Sequence, residues 1–258
     1  MSKLQDFFIR IGLPADTEIE PTTDFLGKVQ EACVKTIPYE NLDILAGKPI
    51  LLDRDTLYDK VITRKRGGYC FELNAFLHFI LEEMGFAVTS RLARYLRGES
   101  EIPFGRHRVI IVSLDGVDYM LDIGVGQTSP RRPLALTDGK IQEQNGETYR
   151  FERDPELGWI LSDLHNGEWR RYICFTDERK LEIDFTVPSF WCEMHPDSPF
   201  NKQEMLAIKT PVGRKTLDGR TFKIFGSESA PLHIEENVGD VRLTEILEKE
   251  FGIFKVNI

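Results

Sequence analysis

No stretch of this sequence approaches the ~18 consecutive apolar residues of a membrane span. Its opening, MSKLQDFFIRIGL, is too polar for a secretory signal. Neither export nor membrane anchoring is expected, and the chain reads as cytoplasmic. Cysteine is scarce and dispersed: Cys33, Cys70, Cys174 and Cys192, with no C-x-x-C pair. That argues against a disulfide scaffold or a zinc ribbon and for reduced thiols. Positive charge is in deficit, with 33 Lys and Arg against 42 Asp and Glu and a formal charge of −9. An extended nucleic-acid surface is therefore not expected. Internal repeats, low-complexity tracts and long linkers are also missing. What remains is an ordinary globular composition on 258 residues, enough for one broad domain or two or three lobes.

The first ~85 residues carry helical periodicity. KLQDFFIRIGL, TTDFLGKVQEACVKTI (ending at Pro38) and RDTLYDKVITRK read as helices, the last with Asp53 or Asp55 as its cap. After Cys70, residues Leu73, Phe76, Leu77, Ile80, Leu81 and Met84 form one apolar stripe, and Gly85 stands where the helix should end. From Phe86 the texture changes to short β-branched and aromatic runs: AVTSRLARYLRG, HRVIIVSL, VDYMLDIGVG, ETYRFERD, WILSDL and EWRRYICF. Asp115-Gly116 and Asn166-Gly167 are hairpin turns. RTFKIFG then reads as a strand, and DVRLTEILEKEFGI as a helix with Leu243, Ile246, Leu247 and Phe251 on one side. Helices, then antiparallel strands, then a mixed tail indicate an α+β protein.

Cys70 lies in RGGYCFELN, just after two glycines and at the head of its helix. Unpaired N–H groups and the macrodipole at a helix N-terminus favour a thiolate, and Arg66 would add positive charge. The alternative is a small buried filler. The clusters Arg64-Lys65-Arg66 and Arg131-Arg132 are either solvated surface or sites for a small anion.

Of the five histidines, His78 is ~12 Å of helix rise from Cys70 and reads as polar surface. His165 lies in an exposed turn, and His233, between Leu232 and Ile234, looks structural. His195, three residues after Cys192, lacks a second ligand pair, so no metal site is expected. His107 differs because its hairpin can be worked out. If Asp115-Gly116 is a two-residue turn, facing residue numbers sum to 231, so Asp122 faces Val109 and His107 faces Gly124. His107 and Asp122 then share one face as diagonal neighbours among apolar residues. A buried carboxylate holding an imidazole is the orienter–base half of a catalytic triad, or else a structural ion pair.

With RGGYCFELN and the His107 and Asp122 spacing in view, the chain resembles the arylamine N-acetyltransferase family. IPYENL (37–42) is similar to the family's IPFENL segment, and YMLDIGVG (119–126) to its Y-x-V-D-V-G-F-G strand. QTSPRRPLAL, SPF (198–200), DGRTF (218–222) and the terminal FGI also fit. The resemblance implies an α+β fold with a cysteine-protease-like Cys-His-Asp core. Its three parts are an N-terminal helical bundle (1–85) with the cysteine, a central antiparallel β-barrel (86–200) with the histidine and aspartate, and a C-terminal α/β lid (201–258). It implies acetyl-CoA as co-substrate, no metal, and an arylamine, arylhydrazine or hydroxyarylamine acceptor, as in xenobiotic metabolism. The implied reaction is ping-pong, with Cys70 as nucleophile, His107 as general base and Asp122 as its orienter. Tyr39, Arg106, Val125 and Phe200 would line the acceptor and acyl pocket, and Phe104, Gly126 and Thr128 the entry of the CoA arm. Val125 stands where many members have Phe, and Arg106 where an uncharged residue is common. Both bear on acceptor preference, toward bulkier or anionic amines.

The same constellation also suits a thiol protease, an amidase, a transglutaminase-like crosslinker or an amide synthase acting on a larger acyl group. A binding protein that kept the triad but lost turnover is the remaining alternative.

Overall fold

The computed structural model describes residues 2–254. Its N-terminal part is helical: α1 (Lys3–Arg10), α2 (Thr23–Thr36), α3 (Leu42–Leu45), α4 (Arg54–Tyr58, running into a π-helical turn, Asp59–Thr63) and α5 (Cys70–Glu83). Short polar side chains start three of them by taking an otherwise unpaired N–H. Ser2 accepts from Gln5, Thr22 from Phe25 and Asp53 from Thr56. α2 stops at Ile37, directly before Pro38. α5 departs from the single-stripe expectation, since every residue from Cys70 to Leu81 is buried. One core runs from Phe7 and Val29 through Phe76 and Leu77 to Ile110 and Val112 on the barrel, so α5 is covered on both sides. His78 is buried too, its Nδ1 2.9 Å from Ser90 Oγ, rather than part of the polar surface.

Eight antiparallel strands follow: β1 (Val88–Tyr95), β2 (His107–Leu114), β3 (Val117–Leu121), β4 (Leu134–Ala135), β5 (Ile141–Gln144), β6 (Glu147–Asp154), β7 (Gly158–His165) and β8 (Glu168–Phe175). Their order is β4-β3-β2-β1-β8-β7-β6-β5. Side chains span the gap between the two end strands. Gln142 exchanges two hydrogen bonds with the Ala135 backbone, and Gln144 two with that of Arg132. The sheet thereby nears closure as a barrel around Val109, Ile111, Met120, Phe151 and Tyr172. Each such side chain contributes roughly 1.5–3 kcal/mol by leaving water. The two hairpins form as expected, with Leu114 opposite Val117 and His165 opposite Glu168.

Beyond the barrel come α6 (Thr186–Met194) and a four-stranded antiparallel sheet of β9 (Met205–Lys209), β10 (Arg214–Asp218), β11 (Thr221–Phe225) and β12 (Pro231–Glu235). α7 (Asp240–Phe251) packs Leu243, Ile246, Leu247 and Phe251 against Leu217 and Phe222 of that sheet. His233 is exposed on edge strand β12 beside Leu232, which is 76% exposed, and so is not a core residue. Among the described residues no helix is long and apolar enough to cross a membrane.

IPYENL is where the parts join. Tyr39 exchanges backbone hydrogen bonds with Ala207 of β9, and the Glu40 N–H donates to the Gly68 carbonyl. The Asn41 side chain donates to the carbonyls of Phe200 and Gln203 and accepts from the Met205 N–H. The chain thus fixes RGGYC, SPF and the second sheet to one another through the backbone of Tyr39 and Glu40 and the side chain of Asn41.

Candidate active site

Cys70 is the first residue of α5 and is 3% exposed. The strand-like approach before it demands glycine: a Cβ on Gly67 would lie 1.8 Å from the Pro38 carbonyl oxygen. Behind the turn is a buried ionic network. Glu72 accepts from the Tyr69 N–H (3.2 Å) and from Lys60 Nζ (2.7 Å). Lys60 also meets Asp43 at 2.8 Å, and Arg66 meets Glu40 and Asp43 at 2.6 and 3.3 Å. Arg66 is therefore spent on carboxylates, not on the thiol as its sequence position implied. Against the cost of burial, Lys60 and then Arg66 hold the Asp43 carboxyl well below its ordinary range.

His107 and Asp122 come from one hairpin. Asp122 follows the last residue of β3 and is fully buried, and His107 opens β2 at 4% exposure. Their contact, His107 Nε2 to Asp122 Oδ2, is 2.7 Å. With the proton on Nε2 donated to the carboxylate, Nδ1 is left with no hydrogen-bond partner among the described residues. Asp122 Oδ1 accepts from the Gly124 N–H (2.8 Å) and from Asn74 Nδ2 (2.8 Å). Asn74 also donates to the Arg108 carbonyl (2.5 Å) and accepts from the Ile123 N–H (3.0 Å). Asn74 is one helical turn past Cys70, so it ties α5 to Asp122. Sequence reasoning missed this role, although the one-turn spacing on α5 pointed toward the same site.

Cys70 and His107 line one cavity of about 440 Å³. The thiol's hydrogen-bond partner among the described residues is the Arg106 carbonyl, 3.8 Å away and directly before His107. Burial pushes the Cys70 thiol well above its ordinary value, and nearby Cys192 and Asp122 push the same way, against the Phe71 N–H. Burial also raises Cys33 and Cys192, each to about 12. A thiol depressed by helix and cation alone is thus not what these surroundings give. What sets Cys70 apart from the other sulfurs is an imidazole on the same cavity.

Gly124 lets the two elements meet. A Cβ there would fall 2.7 Å from Cys70 Cα and 2.8 Å from Asn74 Nδ2. Gly124→Ala is expected to destabilise the fold by about 1–3 kcal/mol through overpacking. It should also lower turnover more than tenfold by parting α5 from β3. Thermal unfolding and turnover check both effects.

The N-acetyltransferase family pattern matches residues 22–257. The arylamine N-acetyltransferase of Mycolicibacterium smegmatis is 33% identical over 97% of this chain and 91% of its own length. The chain belongs to the arylamine N-acetyltransferase family. Similarity to the solved Salmonella typhimurium family member reaches a TM-score of 0.93 at 28% identity, covering 100% of this chain and 93% of that one. The Mycobacterium marinum member, solved in complex with CoA, superposes with a TM-score of 0.89 at 29% identity, covering 97% and 92%. As a member of this arylamine N-acetyltransferase family, the chain is an acyltransferase.

Tyr39, Arg106, Val125 and Phe200 all line the cavity with Cys70 and His107, as do Gly126 and Thr128. Phe104 is not among its lining residues; it is 42% exposed, with its ring 4.6 Å from that of Trp191. Arg106 is ion-paired with Glu99 on the cavity wall. Neither arginine of the second basic pair faces the cavity. Arg131 is buried and donates to the Gly213 carbonyl, and Arg132 pairs with Asp24. His195 stacks on Trp191, and Cys192 is buried in the core beside Tyr69 and Phe71.

Proposed function

We propose that this acyltransferase moves acetyl from acetyl-CoA to an arylamine, arylhydrazine or hydroxyarylamine in two half-reactions through an acetyl-Cys70 intermediate. The observation that supports it is Cys70 and His107 on one cavity, with Asp122 2.7 Å from the far ring nitrogen. In the first half-reaction the Cys70 proton passes to His107 Nδ1 as Sγ attacks the acetyl carbonyl carbon. The carbon–sulfur bond to CoA breaks, and the departing sulfur takes the proton back from the imidazolium. In the second, the amine nitrogen attacks the thioester, its proton goes to His107, and the Cys70 sulfur leaves and is reprotonated. One acetyl-CoA and one amine become one amide and one CoA. Asp122 keeps the imidazole in the receiving tautomer and balances its charge when protonated.

Labour divides along the chain: the N-terminal helices carry the nucleophile, the barrel the base and orienter, and β9–β11 of the C-terminal part wall the cavity. Tyr39, Val125 and Phe200 give an aromatic acceptor apolar walls, while Gly126 and Thr128 border the donor's arm. The chemistry calls for no metal, and four unpaired thiols suit a reducing cytoplasm.

Incubation with acetyl-CoA and no amine tests this directly. Intact-protein mass is expected to rise by one acetyl group, on Cys70 after digestion, and a panel of aromatic amines and hydrazines should discharge it. Steady consumption of acetyl-CoA without amine, and with no adduct, would replace the transferase by a thioester hydrolase.

A further inference from the structure

We infer that Arg214 and Lys223, on the cavity-facing side of the second sheet, hold the phosphate groups of acetyl-CoA. This rests on the proposed function and assigns the donor-recognition cations within it. Register defines the face. Arg214 lies opposite Phe225 and Lys209, Thr216 opposite Lys223 and Ala207, and Asp218 opposite Thr221 and Met205. Directly opposed residues project to the same side, and most of these line the cavity that holds Cys70.

The charges on this side are not equally free. Arg106 is neutralised by Glu99, and Lys209 by Glu147. Asp218 accepts from Gln203 Nε2 at 2.6 Å. Lys223 lines the cavity and forms no hydrogen bond or ion pair among the described residues. Arg214 stacks its guanidinium 3.9 Å over the Phe225 ring and donates from Nε to Gln127 Oε1 at 3.2 Å, and both partners line the cavity. Its two Nη groups have no partner among the described residues. Lys223 on the cavity wall, and Arg214 at its edge with Glu147 nearby but no carboxylate within ion-pair distance, are therefore the cations left for an anionic ligand of a chain whose net charge is −9.

That arrangement suits a donor whose thioester is apolar and whose far end is polyanionic. The Arg fork, pre-set by its stack on Phe225, can take two phosphate oxygens, and Lys223 supplies a mobile point charge. The local positive field also offsets the repulsion that a net-negative protein exerts on an incoming polyanion.

Acetyl-CoA saturation curves for Lys223→Met, Arg214→Met and the double variant, at fixed amine, test the assignment. Each single change is expected to raise KM for acetyl-CoA about 10-fold and the double about 100-fold, with kcat within about twofold. Acylation of Cys70 by p-nitrophenyl acetate, which has no phosphate, should stay within about twofold. Acetyl-dephospho-CoA assigns the contact. A penalty that persists places the cations on the pyrophosphate, and one that vanishes places them on the 3′-phosphate. An unchanged KM for acetyl-CoA, or an equal loss with p-nitrophenyl acetate, overturns the inference. Cys70→Ala must abolish acylation by either donor; if it does not, the covalent reading itself has failed, whatever the lid variants do.

Discussion

Replacement of Cys70 by alanine is expected to lower acetyl transfer by at least ~10⁴-fold, because the group that would carry the acetyl is gone. The fold should survive. The side chain is small, and its loss removes about one methyl-sized group at a cost near 1 kcal/mol. The ionic network that shapes the turn uses Glu72, Lys60, Asp43, Arg66 and Glu40, none of which contacts the sulfur in forming it. Circular dichroism and thermal unfolding should match the wild type, while the acetyl adduct disappears from the mass spectrum. Turnover within tenfold of wild type in a folded Cys70→Ala protein would reject covalent catalysis.

The second large effect concerns how the sulfur loses its proton. Burial, then Cys192 and Asp122, raise the Cys70 thiol, so unaided it would ionise only above its ordinary value. In the proposed mechanism the thiolate forms at neutral pH by handing the proton to His107, whose imidazolium Asp122, 2.7 Å away, would hold. In His107→Gln that acceptor is absent and the net upward push of burial remains. Iodoacetamide alkylation of Cys70 should then fall more than ~100-fold at pH 7 and recover only in strongly alkaline solution. Asp122→Asn is expected to cost about 10³–10⁴ in kcat. An asparagine N–H facing Nε2 moves the ring proton to Nδ1, which then donates where it must accept. Alkylation profiles that superimpose for wild type and His107→Gln would dissolve the proposed pair.

Much of this was readable along the chain, for local reasons. Asp115 and Gly116 both adopt positive φ, 49° and 77°, so the two-residue turn formed and fixed the pairing sum. Ladder pairs run from Leu114 opposite Val117 to Ile110 opposite Leu121, and the diagonal contact of His107 with Asp122 follows one step on. The helix start at Asp53 was legible because a cap needs only three residues; Ser2 and Thr22, which cap the first two helices, were not read as caps. α6 was not foreseen. Its buried face is only Ser189 and Cys192, while Val187, Phe190 and Met194 are exposed, so its apolar residues do not mark the core side. β9 and β10 were missed because their pattern follows contacts with α7 and with Tyr39, distant in sequence.

The sequence by itself determined the hairpin turns, the cap at Asp53, the face shared by His107 and Asp122, and the motif that sets a cysteine at the head of a helix. Each depends on dihedral preferences or side-chain alternation acting over a handful of residues. Only the tertiary structure decided that Arg66 serves Glu40 and Asp43, that α5 is covered on every side, that Asn74 links α5 to Asp122, and that Cys70 shares a cavity with His107. Those outcomes depend on which distant surfaces exclude water together, and burial sets both the partners a charge must find and the cost of a lone thiolate.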